Sequence, residues 1–200
     1  LRDGGVENLN IRDKYLERIG ISVERLINIV NDLDMINRFE SGEIKLNISK
    51  FDINLLVKET FDMLDLEAQS RNAILSLNTS APQVFVNADK QKISQVLINL
   101  ISNAIHYANR QQAQIIVKTT VLKNKVLIEV SDNGMGIKPE ALPRIFERFF
   151  RVESSRSRRE GGSGLGLAIV KHILEAHNEN ISVESVYLEG TNFSFMLEKG

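Results

Sequence analysis

An α+β fold, a two-layer α/β sandwich preceded by a long bundle-forming helix, is what the sequence predicts, on three observations. Leu16, Ile19, Val23, Leu26, Val30 and Leu33 recur at steps of 3, 4, 3, 4 and 3, the seam of a helix that packs on other helices. Beyond Ser41-Gly42, amphipathic helical stretches alternate with short, mostly antiparallel strand patterns, the arrangement of segregated helices on a sheet. The composition, 42% apolar and 26% charged, is that of an ordinary globular chain.

The seam predicts a helix over Arg12 to Phe39, closed by Gly42. One helix cannot bury its own stripe, so a missing segment, a second chain or both should cover it, with packing on its own domain as the alternative. The second domain then runs in order. Ile44 to Ile48 alternates as a strand, Ile53 to Arg71 is an amphipathic helix, and Ile74–Leu77 and Val84–Val86 are short strands. Lys90 to Tyr107 is a helix with Asp89 as its N-cap. Ile115–Val121 and Lys125–Val130 pair around Lys123-Asn124. A long stretch over 133–163 leads to a helix from Leu165 to His177, and strands Ile181–Ser185 and Asn192–Leu197 finish the chain. The expected domains are 1–42 and 43–200.

Several function classes drop out early. With 25 Lys+Arg against 26 Asp+Glu the net charge is -1, so no broad basic surface for nucleic acid is expected. No cysteine means no disulfide framework and no thiolate metal site. No apolar run approaches the roughly 18 residues of a membrane span. The start, Leu1-Arg2-Asp3-Gly4-Gly5, has no signal-peptide pattern and reads as the edge of an excised fragment.

Three segments carry chemistry. On the helix Lys90 to Tyr107, Gln95, Asn99, Asn103 and His106 fall together opposite the apolar side. Two aligned asparagines are either a solvated face or a pair of amide oxygens aimed at a hard cation such as Mg²⁺, whose other ligands are phosphates and water. Asp132-Asn133-Gly134-Met135-Gly136-Ile137 follows an apolar strand. Asn-Gly there suggests a hairpin, but Lys138-Pro139-Glu140 begins no returning strand; a carboxylate beside glycines suits a purine pocket, with Asp132 accepting from an amino group. Gly161 to Val170 is a glycine-rich loop entering a helix, either a flexible linker or an anion cradle. It lacks the Lys-Ser/Thr of a Walker A loop and has Leu167 where a dinucleotide fingerprint needs Gly or Ala. Between the two loops, residues 138–160 hold seven Lys+Arg against four Glu: a solvated charge run, or a cationic lid for a triphosphate.

Taken together, these segments resemble the ATP-binding domain of sensor histidine kinases, in the superfamily of gyrase, Hsp90 and MutL. Gln95 to Tyr107 resembles the N box, Asp132 to Ile137 the first glycine box, Ile145 to Arg151 the F box and Gly162 to Leu167 the second glycine box. The heptad helix and Phe39-Glu-Ser-Gly42 resemble the second helix of the dimerisation and phosphotransfer domain. The resemblance implies a Bergerat-type fold, with ATP and Mg²⁺ as ligands. Asn103 and Asn99 would hold the metal. Asp132 would bind the adenine amino group, with Tyr107 and Ile137 lining the base pocket and Gly134 and Gly136 permitting close approach. Gly162, Gly164, Leu165, Gly166 and Leu167 would bind phosphates, and Arg148 the γ-phosphate. His106, where the family frequently has Lys or Arg, would make a weaker phosphate contact. Asn99 stands where the superfamily's ATPases have a water-activating Glu, which implies slow hydrolysis and transfer to another acceptor.

Glu179 and Leu188 replace glycines frequent in the family, with effects expected in loops only. None of His106, His172 and His177 suits the phosphate acceptor, which the fragment therefore lacks. The implied partners are a second copy through the helical bundle and a response-regulator receiver domain, without nucleic acid, and membrane contact only through missing regions. The implied location is the cytoplasmic side of an inner-membrane sensor. The alternatives are a non-catalytic nucleotide-binding module and a protein-serine kinase or ATPase of the same superfamily.

Overall fold

The computed structural model describes residues 9–107, 112–151 and 163–200. Helix α1 spans Leu9–Glu40 and ends as expected. Gly42 takes φ +71°, with its N–H donating to the Phe39 carbonyl and the Glu43 N–H to Arg38, at 3.1 Å each. This pair of bonds satisfies carbonyls that a helix end leaves open.

The remaining elements are β1 (Ile48–Asp52), α2 (Ile53–Ser70), β2 (Ala73–Thr79), β3 (Phe85–Asp89), α3 (Lys90–Tyr107), β4 (Ala113–Val121), β5 (Lys125–Asp132), α4 (Gly166–Ala176), β6 (Ile181–Val186) and β7 (Gly190–Lys199). The first strand is a correction. It lies at Ile48–Asp52, not Ile44–Ile48, because pairing with β3, Phe51 opposite Val86, decides the register. The stretch after Pro139 forms only a single 3₁₀ turn at Leu142–Arg144.

The seven strands form one sheet in the order β1-β3-β7-β5-β4-β2, with β6 also on β7. All described pairs are antiparallel except β2 with β4. Alternation sends Ala113, Ile115 and Val117 of β4, Val126, Ile128 and Val130 of β5, and Phe193, Phe195 and Leu197 of β7 into one core. Helix α3 covers that face with Ile93, Val96, Leu97, Leu100, Ile101, Ala104 and Ile105, all buried. Its start is fixed by Asp89, whose Oδ1 accepts from the Gln91 and Lys92 N–H groups at 3.1 Å each.

Only the last turns of α1 join this core. Ile36 is fully buried, whereas Leu16, Ile19, Val23, Leu26 and Val30 are 47–62% exposed. Among the described residues, the seam predicted from the sequence is therefore exposed over most of its length.

Candidate functional site

A cavity opens between α3, the β5–α4 connection and the β6–β7 turn. Its walls include Asn103, Ala104, Tyr107, Asp132, Met135, Gly136, Ile137, Lys138, Phe150, Arg151, Leu167, Tyr187 and Thr191. Among the described residues its wall is mostly apolar, with one carboxylate and the cations Lys138 and Arg151.

Asp132 ends β5, and its side chain is held by the chain that follows. Gly134 N–H donates to Oδ1 at 2.8 Å, and the Thr191 N–H also bonds the carboxylate. Burial still dominates and pushes the Asp132 carboxyl above the usual carboxylate range, the two backbone bonds pulling the other way. A half-buried acceptor in an apolar slot favours a ligand that brings an N–H donor.

The glycines around it are required by contact. A Cβ on Gly134 would lie 2.7 Å from both Asp132 Oδ1 and the Tyr107 carbonyl oxygen. Gly136, at φ +62°, leaves no room for one either, since it would overlap the Val186 carbonyl. The first glycine loop is thereby pressed between the end of α3, whose Tyr107 carbonyl accepts from Met135 N–H at 3.2 Å, and the β6–β7 turn.

On α3, Asn103 and Tyr107 reach the cavity. Asn99 lies one turn earlier and faces the start of α4, with Oδ1 3.3 Å from where a Cβ on Gly166 would stand. Among the described residues its Nδ2 is buried without a hydrogen-bond partner, a donor that an acceptor such as a phosphate oxygen would satisfy. Amide oxygens one turn apart are hard donors of the kind Mg²⁺ accepts. Among the described residues no cluster of three His, Cys, Asp or Glu could cage a metal. A cation here would need phosphate oxygens and water, so the residues fit one delivered with a nucleotide.

His106 points elsewhere. It is absent from the cavity wall, its Nδ1 lies 4.0 Å from Glu67 of α2, and its ring meets Tyr107 edge-on at 6.0 Å. Glu67 is a carboxylate neighbour that the sequence did not announce. Ile137 does line the cavity, its N–H donating to Ser185 Oγ at 2.8 Å.

In the second glycine loop, Gly162 lies outside the described residues, as does the Arg156–Glu160 stretch. Gly164 takes φ +72°, a Cβ there would lie 3.0 Å from the Phe149 backbone, and its carbonyl accepts from Phe149 N–H at 3.0 Å. This ties the lid segment to the loop. Leu165 is fully buried, so its side chain anchors the loop from below instead of facing a ligand. Gly166 begins α4 against Asn99, and Leu167 lines the cavity.

The two arginines of this segment stand in different places. Arg148 is absent from the cavity wall and is ion-paired with Glu40 at the end of α1, where His172 Nε2 also lies 3.6 Å from the Glu40 carboxylate. Arg151, three residues on, lines the cavity instead. Counting along the motif could not separate the two; the turn at Phe149, at φ +62°, sets which one faces inward. Thr191, Met135, Phe150, Lys138 and Tyr187 were also missed. For Thr191 and Met135 the signal was position beside glycines, in Gly190-Thr191 and Gly134-Met135-Gly136; Phe150 lay within the F box and Lys138 within the cationic stretch, and Tyr187 carried no signal.

The replaced glycines have different consequences. At the end of α4 it is Asn178, at φ +58°, that takes the left-handed position, so Glu179 costs nothing there and pairs with Lys125 at 2.7 Å. Leu188 takes φ +70° and donates its N–H to the Met135 carbonyl at 2.7 Å. This backbone bond joins the β6–β7 turn to the first glycine loop.

Comparison with known proteins gives a consistent result. The family model described as histidine kinase-, DNA gyrase B-, and HSP90-like ATPase matches residues 88–200. The sensor protein kinase WalK of Staphylococcus aureus is 32% identical over 98% of the chain, which covers 47% of that protein, or 32% in its JH9 strain form. The chain thus spans half or less of the length of these curated relatives. Among solved structures, full-length ShkA in complex with AMPPNP aligns over 94% of this chain and 39% of its own, with TM-score 0.82 and 25% identity. The histidine kinase ThkA in complex with the response regulator protein TrrA aligns over 94% of this chain and 51% of its own, with TM-score 0.73 and 27% identity. The histidine kinase AdeS of Acinetobacter baumannii, at 22% identity and TM-score 0.76 over 98% of this chain and 90% of its own, shares the fold.

Proposed function

Because the chain belongs to the histidine kinase-, DNA gyrase B- and HSP90-like ATPase family, we propose that it is the ATP-binding core of a sensor histidine kinase. In this reading it binds Mg-ATP and passes the γ-phosphoryl group to a histidine on a segment outside this chain, for relay to a response-regulator aspartate. The observation that carries the reading is the half-buried Asp132 carboxylate in an apolar cavity whose wall also holds Asn103. It supports adenine, whose amino group donates, over guanine, which presents a carbonyl at the same place.

The residues divide the work. Asp132 accepts from the base; Ile137, Met135 and Tyr107 exclude water around it. Asn103 and Asn99 orient the metal-bound phosphates, and Mg²⁺ supplies charge neutralisation on the triphosphate. The N-terminal turn of α4, preceded by Gly164, offers backbone N–H groups to the phosphates. We assign the lid role to Arg151 and not to Arg148. Asn99 is an amide and no general base, so water is not activated and the γ-phosphoryl group is kept for the acceptor. Transfer then depends on alignment and charge neutralisation.

Titration calorimetry with Mg-ATP and Mg-GTP tests the pocket: ATP should bind and GTP should bind at least tenfold more weakly. Asn103→Ala should lose the Mg²⁺-dependent part of the affinity with its unfolding midpoint unchanged. With labelled ATP and a separate polypeptide carrying the acceptor helix, acid-labile phosphohistidine should form; acid-stable phosphoserine would favour the protein-serine kinase alternative. Equal binding of ATP and GTP refutes the pocket assignment. The dimer through α1, the receiver-domain partner and a place on the cytoplasmic side of a membrane sensor belong to the same proposal. None of the helices, among the described residues, is long and apolar enough to cross a membrane.

A further inference from the structure

The β6–β7 turn supplies a cavity wall that the four sequence boxes do not contain. Tyr187 sits at its tip, 41% exposed on one side and lining the cavity on the other, beside Gly136 and Lys138. The tip is anchored to the first glycine loop. Leu188 N–H donates to the Met135 carbonyl at 2.7 Å, and Glu189 N–H to the Val186 carbonyl at 3.0 Å. Gly136 approaches the Val186 carbonyl so closely that no Cβ fits between them.

Leu188 holds a left-handed conformation, φ +70°, that a β-carbon disfavours. Such a conformation persists where the surroundings over-determine it, and here the Met135 bond does so. Lys138 Nζ lies 5.3 Å from the centroid of the Tyr187 ring, a cation–π contact that restrains the ring further. The result is a preorganised aromatic at the mouth of a pocket whose inner end holds a hydrogen-bond acceptor.

We propose that Tyr187 is a nucleoside-contacting residue, its ring packing against the base and sugar of the bound nucleotide, with Lys138 as the positioning residue for that ring. The inference rests on the nucleotide reading above and deepens it. A planar base gains from an aromatic neighbour irrespective of hydrogen bonding, so the contribution belongs to the nucleoside and not to the phosphates.

Calorimetry with ATP and ADP on the whole chain separates the possibilities. Tyr187→Ala should weaken both nucleotides by the same factor, about tenfold. Tyr187→Phe, which keeps the ring, should restore wild-type affinity. Lys138→Ala should weaken binding by a smaller factor, and the double variant Lys138→Ala/Tyr187→Ala should be no worse than Tyr187→Ala alone. Ring signals of selectively labelled Tyr187 should shift on adding ADP. Tyr187 is half exposed, so the variant should keep its unfolding midpoint; Tyr187→Leu, which keeps apolar bulk, covers the case in which Ala disturbs the turn and should remain weaker than Phe. Unchanged ADP affinity in Tyr187→Ala, or a loss confined to ATP, overturns the inference while leaving the nucleotide site standing. A wild-type chain that binds neither nucleotide overturns both.

Discussion

Asp132 and Glu40 show how environment, not residue type, sets the behaviour of a carboxylate. Burial raises the Asp132 pKa against the pull of the Gly134 and Thr191 N–H bonds, so the folded chain holds its proton more tightly than the unfolded one. The resulting contribution favours the fold below the carboxylate range and is lost as pH rises through the raised value. For binding the sign is opposite: the adenine amino group needs the ionised acceptor, and ATP affinity should fall as pH drops through that raised value, earlier than for an ordinary Asp. Calorimetry across the acidic range checks this, with Asp132→Asn expected to flatten the profile and reduce the preference for ATP over GTP. Glu40 is shifted down, first by its hydrogen bond from Arg148, then, against an opposing desolvation, by the charges of Arg148 and His172. That contribution is present above the unfolded pKa and lost as pH falls through the depressed folded value. The acid limb of a melting-temperature profile should accordingly be shallower in Glu40→Gln. The sequence disclosed Asp132 as an acceptor because it closes a strand before glycines. It could not disclose the Glu40 pair, because the partners are far apart in the chain.

Among the elements, α3 carries the most function and is the most exposed to a single change at its start. Asp89 caps it through Gln91 and Lys92, accepts from Asn47 N–H through its other oxygen at 2.9 Å, and donates its own N–H to His177 Nε2 at 3.0 Å. Replacing a capping Asp by Ala costs about 0.5–2 kcal/mol, and Asp89→Ala should fall at the upper end because Asn47 also loses its partner; urea denaturation measures it. Its boundaries were legible from the cap and the 3.6-residue period. The first strand was not legible, since Ile44 to Ile48 alternates whereas Ile48 to Asp52, Ile-Ser-Lys-Phe-Asp, does not, and only the pairing of Phe51 with Val86 selects the latter. The lid segment was legible as cationic but not as to which arginine faces inward.

For the whole molecule, the decisive contrast lies along α1. Leu16, Val23, Leu26 and Val30 stand outside the core, whereas Ile36 is fully inside it. Replacing those four by Ser should leave the unfolding midpoint of the sheet domain unchanged and abolish any concentration-dependent association seen by sedimentation. Ile36→Ala should cost about 2–5 kcal/mol, the usual range for emptying a buried aliphatic site. The sequence by itself determined the α+β class, the two asparagines on one helix face, the aspartate beside its glycines and the heptad seam, because each is a local pattern of period, cap or turn chemistry. Only the tertiary structure decided that Arg151 and not Arg148 meets the cavity, that His106 turns to Glu67, and that Tyr187 forms its outer wall. Those three depend on which distant segments are pressed together, and packing between elements leaves no period in the chain for a reader to count.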